Sequence, residues 1–294
     1  MSPVFIEVRA NEYTGREANP NVPWSIDELI ADAAACAEAG ASVYHFHGRD
    51  AATGAPVWDA DTLGSVIAGV RDACDLILMP TLGASTVPDP HARLAPVLEL
   101  AADPVIRPEL APIDLGSFNI DPYDPATGAF GNPDIVYVTP LRTLREMVAD
   151  VAEAGMKPMG ALWTVGSARL LSAFLDTGDM AAPAYGEVTL SDSWLSGHPA
   201  TVDGLDAMTR FLPDDGRVVW GCLAYGADLR PLAAEVIGRG GHLIAGLGDY
   251  PYLELGTPSN ADIVAALAGC ITDAGAELAT VTQTRAMLGL EPAS

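Results

Sequence analysis

The chain has 294 residues, with 39 acidic side chains against 15 basic ones and a formal charge of −24. So acidic a surface repels phosphate backbones and anionic lipid, which sets aside nucleic-acid and membrane partners, although excess charge also serves solubility. Apolar residues make up 49% of the chain, enough to close a core, and the length allows one large domain or two small ones.

One of the basic residues is lysine, Lys157, so imine chemistry rests on that position alone. Cys36, Cys74, Cys222 and Cys270 lie far apart in apolar stretches, with no Cys-x-x-Cys pair, and read as reduced core residues. The N-terminus shows no basic-then-apolar leader, and no apolar run reaches membrane length. A soluble cytoplasmic protein is expected.

Short apolar runs alternate with helix-period stretches from end to end. The first run is 4–9. A helix follows with apolar Ile26, Leu29, Ile30, Ala33 and Ala37, opened by the capping-box pair Ser25 and Glu28 and closed at Gly40. The next runs are 42–47, 76–81 and 112–119, with helices near 61–74, 90–101 and 140–154. Runs at 158–164, 186–190, 217–225 and 242–247 follow, with helices near 167–175, 201–211, 229–237 and 260–274. A short helix near 282–288 ends the chain.

Eight strand–helix units predict a (β/α)₈ TIM barrel spanning 1–294 as one domain. An open doubly wound sheet is the competitor. The barrel is favoured because polar residues cluster at the carboxyl ends of many runs and not at one crevice. The irregular stretch 120–135, rich in Asp, Pro and Gly, then lies over the catalytic face as a lid or subunit contact. Lys157 precedes the fifth run, at the opposite end of the barrel.

His45 and His47 end the second run two residues apart, so both imidazoles share a face while Tyr44 and Phe46 pack outward. Two imidazoles on one face suit Zn²⁺ or another divalent ion; the bland reading is two separately hydrogen-bonded histidines. Glu7, Glu12 and Asp249 are all reachable as a third ligand, because the first strand of a closed barrel neighbours the second and the eighth; His198 is a weaker candidate. The expected metal set is His45, His47 and Glu7. Asp249, Glu12 and Arg9 are the expected catalytic groups. Glu7 and Arg9 share an interior face, either as a structural ion pair or with Arg9 receiving a substrate carboxylate. Thr81 and Gly83, in the run 80–85, and Asp114 and Ser117 are candidate substrate contacts that turns also use.

Glu12, the helix end at 39–42, the run Val43-Tyr44-His45-Phe46-His47-Gly48-Arg49-Asp50, and the segments Gly240-Gly241-His242 and Gly246-Leu247-Gly248-Asp249 together resemble the β-keto acid cleavage enzymes, in the same order over almost the whole chain. The resemblance implies a zinc-dependent (β/α)₈ barrel and a homotetramer. It implies conversion of a small carboxylated keto substrate and acetyl-CoA into acetoacetate and a new CoA thioester. His45 and His47 match the family's histidine ligands, Glu12 an active-site glutamate, Thr81 a serine, Gly83 a glycine, and Asp249 an aspartate after the last strand; Asp114 stands where asparagine is common. Three positions depart. The family's ligand glutamate is Gly248, an arginine four residues earlier is Ile244, and a fifth-strand glutamate is Ala161. Either Glu7 or Glu12 completes the metal site and Arg9 replaces the arginine, or the chain runs different chemistry on another carbonyl compound, or it is an inactive relative. Outside the family, a metal-dependent hydrolase is the runner-up. Arg49 is a candidate for the CoA phosphates.

Overall fold

A computed structural model of the protein describes residues 2–83 and 87–291. Eight parallel strands form its centre: β1 (Ile6–Arg9), β2 (Val43–Phe46), β3 (Ile77–Pro80), β4 (Leu110–Asp114), β5 (Lys157–Leu162), β6 (Ala184–Ser191), β7 (Val218–Tyr225) and β8 (His242–Ala245). Their hydrogen-bonded order is β3-β2-β1-β8-β7-β6-β5-β4. The first strand thus pairs with both the second and the last, which sets aside the open doubly wound sheet. The sheet curls into a barrel whose ends, β3 and β4, meet across a seam.

Helices α1 (Ile26–Ala39), α2 (Ala60–Ala73), α3 (Pro90–Ala101), α4 (Leu141–Glu153), α5 (Val165–Thr177), α6 (Val202–Thr209), α7 (Ala233–Gly238) and α8 (Asn260–Asp273) alternate with the strands, and α9 (Val281–Leu288) follows. Among the described residues no helix is long and apolar enough to cross a membrane. The capping box of α1 forms as its sequence predicts, and Gly40 closes the helix at φ 107°, a left-handed conformation that suits glycine.

The strand period of two divides the apolar residues into two layers. Ile6, Val8, Tyr44 and Phe46 pack outward among the helices. Phe5, Val43, Ile77, Met79, Met159 and Tyr185 fill the barrel. That inner layer closes the amino end, so the polar side chains farther along the same strands stand at the carboxyl end. Lys157 begins β5 and lies at the amino end, away from them.

The stretch after β4 is more ordered than its composition suggests. Phe118–Asn119 pairs with Val136–Tyr137, and Tyr123–Asp124 with Ala129–Phe130, as two antiparallel ribbons. The arm leans on the loop after β6: Ser196 Oγ donates to the Asn119 carbonyl at 2.8 Å, and Tyr123 N donates to the Ser193 carbonyl at 3.0 Å. It therefore covers one side of the barrel mouth.

Candidate active site

The mouth holds a cavity lined at one side by Arg9, Glu12, His45, His47 and Asp249. Alternation along β2 turns both imidazoles inward, with Nε2 atoms 3.2 Å apart. Glu12 joins them: its Oε1 lies 3.1 Å from His45 Nε2 and its Oε2 2.7 Å from His47 Nε2. Among the described residues this is the one group of three or more His, Cys, Asp or Glu side chains whose ligand atoms converge closely enough for a metal ion. Two imidazoles and a carboxylate are donors that zinc takes, and the three side chains gather closely enough to hold an ion. Burial, and then the nearby Arg9 charge, push His45 down to about 4. It is therefore neutral at physiological pH, the form that ligates.

Glu12 reaches this position through an unusual backbone. Its φ is 34°, in the left-handed region that non-glycine residues rarely enter. Two features hold it there. Arg49 donates to the carbonyls of Asn11, Glu12, Thr14 and Gly54, clamping the loop from below. Gly248 leaves space beside it: a Cβ at 248 would stand 2.6 Å from Glu12 Cγ and 2.9 Å from the Arg9 carbonyl oxygen. Asn11 ties the loop to β2 by accepting from His47 N at 2.9 Å.

Arg9 sits among four carboxyl groups. Its Nε lies 2.8 Å from Glu12 and 4.0 Å from Asp249; its Nη1 lies 3.0 Å from Glu187 and 3.8 Å from Glu7. Burial raises the Glu12 carboxyl, but Arg9 and the two histidines outweigh it and hold the group well below the usual range. Burial pushes Asp249 well above its ordinary value, with Arg9 offsetting only part of the rise. Both Asp249 oxygens are buried with no hydrogen-bond partner among the described residues. The site thus pairs a firmly ionised carboxylate with one that favours a proton, the arrangement that general acid–base work needs.

Several expectations need correction. Glu7 does not join the histidines; its Oε2 accepts from Tyr185 OH at 2.6 Å inside the barrel, and Glu12 is the carboxylate that lies with them. Arg49 does not face an incoming anion, because its guanidinium donors go to backbone carbonyls. Ser117 is exposed, exchanges hydrogen bonds with Thr139 that fasten the arm, and is not among the residues lining the cavity. His198 contributes its backbone to a bridge with Leu190 and lies outside the ligand group.

Thr81 and Asp114 do line the cavity. Thr81 Oγ1 accepts from Gly83 N at 3.0 Å, and Gly83, at φ 71°, packs on Trp58 without joining the cavity lining. The Ala84-Ser85 end of that run lies outside the described residues.

Glu187 escaped the sequence reading, although it carries the same signal that marked Glu7 and Arg9, a charge within a buried strand. It stands in register with Ala161 on the neighbouring strand. Trp163 and Tyr225, at strand ends, and Trp194, in the loop after β6, also line the cavity and carried no signal beyond being aromatic.

The profile of the beta-keto acid cleavage enzyme family matches residues 3–290. A 3-keto-5-aminohexanoate cleavage enzyme of Acetoanaerobium sticklandii is 26% identical over 278 residues, covering 94% of this chain and 93% of that protein. A 3-oxoadipate:acetyl-CoA acetyltransferase of Cupriavidus necator is 26% identical, covering 92% of this chain and 89% of that protein. Among solved structures, the ternary complex of ObcA with a C4-CoA adduct and oxalate superposes with a TM-score of 0.68 at 16% identity, over 92% of this chain and 68% of that one.

Proposed function

The chain belongs to the β-keto acid cleavage enzyme family, and from that premise we propose that it catalyses acyl exchange between a β-keto acid and acetyl-CoA. The keto acid loses its acyl group to CoA as a new thioester. The acetyl group joins the remaining two-carbon carboxylate to give acetoacetate. The triangle of Glu12, His45 and His47 beside the Arg9–Asp249 contact carries this reading. Each departure from the family pattern also has a substitute nearby. Glu12 occupies the space beside Gly248. Arg9 lies two residues beyond Glu7, the register partner of Ile244. Glu187 faces Ala161. Such paired replacements favour a working site over an inactive one.

Zinc or another divalent ion would be held by His45, His47 and Glu12, and when bound it supplies Lewis acidity to the keto and carboxylate oxygens. The chain's own groups do the rest. Asp249 exchanges a proton with the carbon that becomes nucleophilic, since its buried oxygens take no hydrogen bond among the described residues and it is inclined to hold a proton. Arg9 positions Glu12 and Asp249 against each other and keeps Glu12 ionised. Glu187 fixes the far end of that guanidinium. The inner apolar layer seals the floor against water from the amino end.

Elemental analysis tests the metal assignment. His45→Ala should reduce bound metal from about one ion per chain to background and abolish turnover; a variant that still holds its ion overturns the assignment. Glu12→Gln should weaken metal binding by about a hundredfold, more than Glu7→Gln does. A larger loss from Glu7→Gln would restore Glu7 as the ligand. Appearance of acetoacetate only when acetyl-CoA is supplied tests the reaction, and product formation without CoA would favour hydrolysis. We further infer that residues 1–294 act as a single barrel domain, in the cytoplasm and as a homotetramer. Light scattering of the purified protein checks that last point.

A further inference from the structure

The ladder between β1 and β8 slips by one residue where it reaches the mouth. Leu243 N donates to the Phe5 carbonyl at 3.2 Å. Parallel pairing takes every second amide, so Leu247 N would come next on the Arg9 carbonyl. Gly248 N takes that carbonyl instead, at 3.0 Å, and a tight turn closes as Asp249 N donates to the Gly246 carbonyl at 3.1 Å. Facing changes with the slip. Leu243, Ala245 and Leu247 all pack outward, and strict alternation would send Asp249 outward with them. It lines the cavity. One added residue reverses its side, as a bulge does beside an active site. Gly246 permits the crossing, because a Cβ there would stand 2.1 Å from the Arg9 carbonyl oxygen.

Leu247 N and the Ala10 carbonyl, on the two sides of the slip, are met by one side chain. Asn260, the first residue of α8, is fully buried. Its Oδ1 accepts from Leu247 N at 2.8 Å, and its Nδ2 donates to the Ala10 carbonyl at 3.1 Å and to the Asp32 carboxylate at 3.0 Å. Asp32, on α1, also accepts from the hydroxyl of Tyr44 on β2 at 2.8 Å. The oxygen and both amide protons of Asn260 are thus used, as a buried amide requires. Starting the helix does not call for it, since Ser259 and Asp262 already form a capping box. From outside the barrel wall, Asn260 and Asp32 together bond to the three strand segments that lead to Glu12, the two histidines and Asp249.

We propose that Asn260, anchored by Asp32, holds the slip and so aims Asp249 into the mouth, as a positioning residue for proton transfer. What Asp249 does there rests on the acyl-exchange reading; where it points does not.

Asn260→Ala in the intact enzyme should lower kcat by about a hundredfold, while KM for the keto acid stays within about threefold, because a misplaced proton-transfer group weakens the transition state and not ground-state binding. Amide exchange at residues 247 and 248 should quicken by about tenfold or more. Val264, buried on the same helix, supplies the control. Val264→Ala removes packing without touching the slip, so it should lower the melting temperature yet leave kcat and that local exchange unchanged. Equal effects of the two variants would make Asn260 merely structural and overturn the assignment. Exchange reads the slip even if no keto acid turns over, so unchanged exchange in Asn260→Ala overturns the assignment whatever the reaction proves to be. Should Asn260→Ala fail to fold, a charge-paired cycle decides. Asn260→Asp sets two carboxylates against each other and should cost kcat about a hundredfold. Adding Asp32→Asn offers an amide donor across the same contact and should restore about tenfold of that loss. No recovery in the double variant overturns the assignment.

Discussion

A methyl group at position 248 would stand 2.6 Å from Cγ of Glu12 and 2.9 Å from its amide nitrogen, distances that real contacts do not reach. Gly248→Ala should therefore push Glu12 off the histidines. We expect metal affinity to fall by at least about tenfold, with a loss of about 1–3 kcal/mol in stability from overpacking. Metal titration and urea unfolding of the same variant check the two effects, and unchanged affinity would mean that Glu12 does not depend on the vacancy. Glu7 gives a prediction of a different kind. Burial, reinforced by Glu187 and opposed by Arg9, raises it from 4.5 to about 8. Between those values the folded protein keeps a proton that the unfolded chain has released. Its contribution to stability is thus full below about 4.5 and is lost as pH rises through about 8. Glu7→Gln should flatten the fall in stability across that window, as read from denaturant midpoints measured at a series of pH values.

Elements differ in how much of their role the sequence discloses. The period of two in β2 makes His45 and His47 legible as a pair, because a strand leaves no other way to arrange alternate residues. The barrel itself was legible from eight repeats of strand and helix. Glu12 was legible as a reachable carboxylate but not as the one that joins the two histidines. Its position depends on a left-handed φ, on a clamp from Arg49 and on a vacancy 236 residues away, and no local pattern encodes these. Arg49 misled for the same reason, since a side chain that serves carbonyls and one that awaits a phosphate look alike in sequence. Its role belongs to the loop between β1 and α1. Arg49→Lys replaces a planar fork by a single ammonium and should release that loop. The expected result is a loss of metal affinity of about tenfold, although residue 49 touches no ligand atom, together with faster amide exchange at residues 11–14. An intact affinity would show that the loop holds its shape without the clamp.

On the scale of the whole molecule, a charge of −24 opposes the approach of acetyl-CoA, itself a polyanion. The KM for acetyl-CoA should fall as sodium chloride rises from about 10 mM to about 150 mM, because screening shortens the reach of that field from about 30 Å to about 8 Å. Steady-state kinetics at constant pH decide this; a KM that climbs with salt would reveal a local basic patch for the phosphates. The barrel's seam bears on another hazard. Ile77 N donates to the Ser42 carbonyl on the β2 side, so Leu78 and Pro80 turn toward the seam. Leu115 N donates to Ala161 on the β5 side, so Pro112 turns toward it as well. Glu109 accepts from Leu78 N at 3.1 Å, and the two prolines have no N–H to offer. While the chain folds, before β3 and β4 meet, these edges therefore give a stray strand little to zip onto. The same residues that leave the ring unstitched guard it against aggregation.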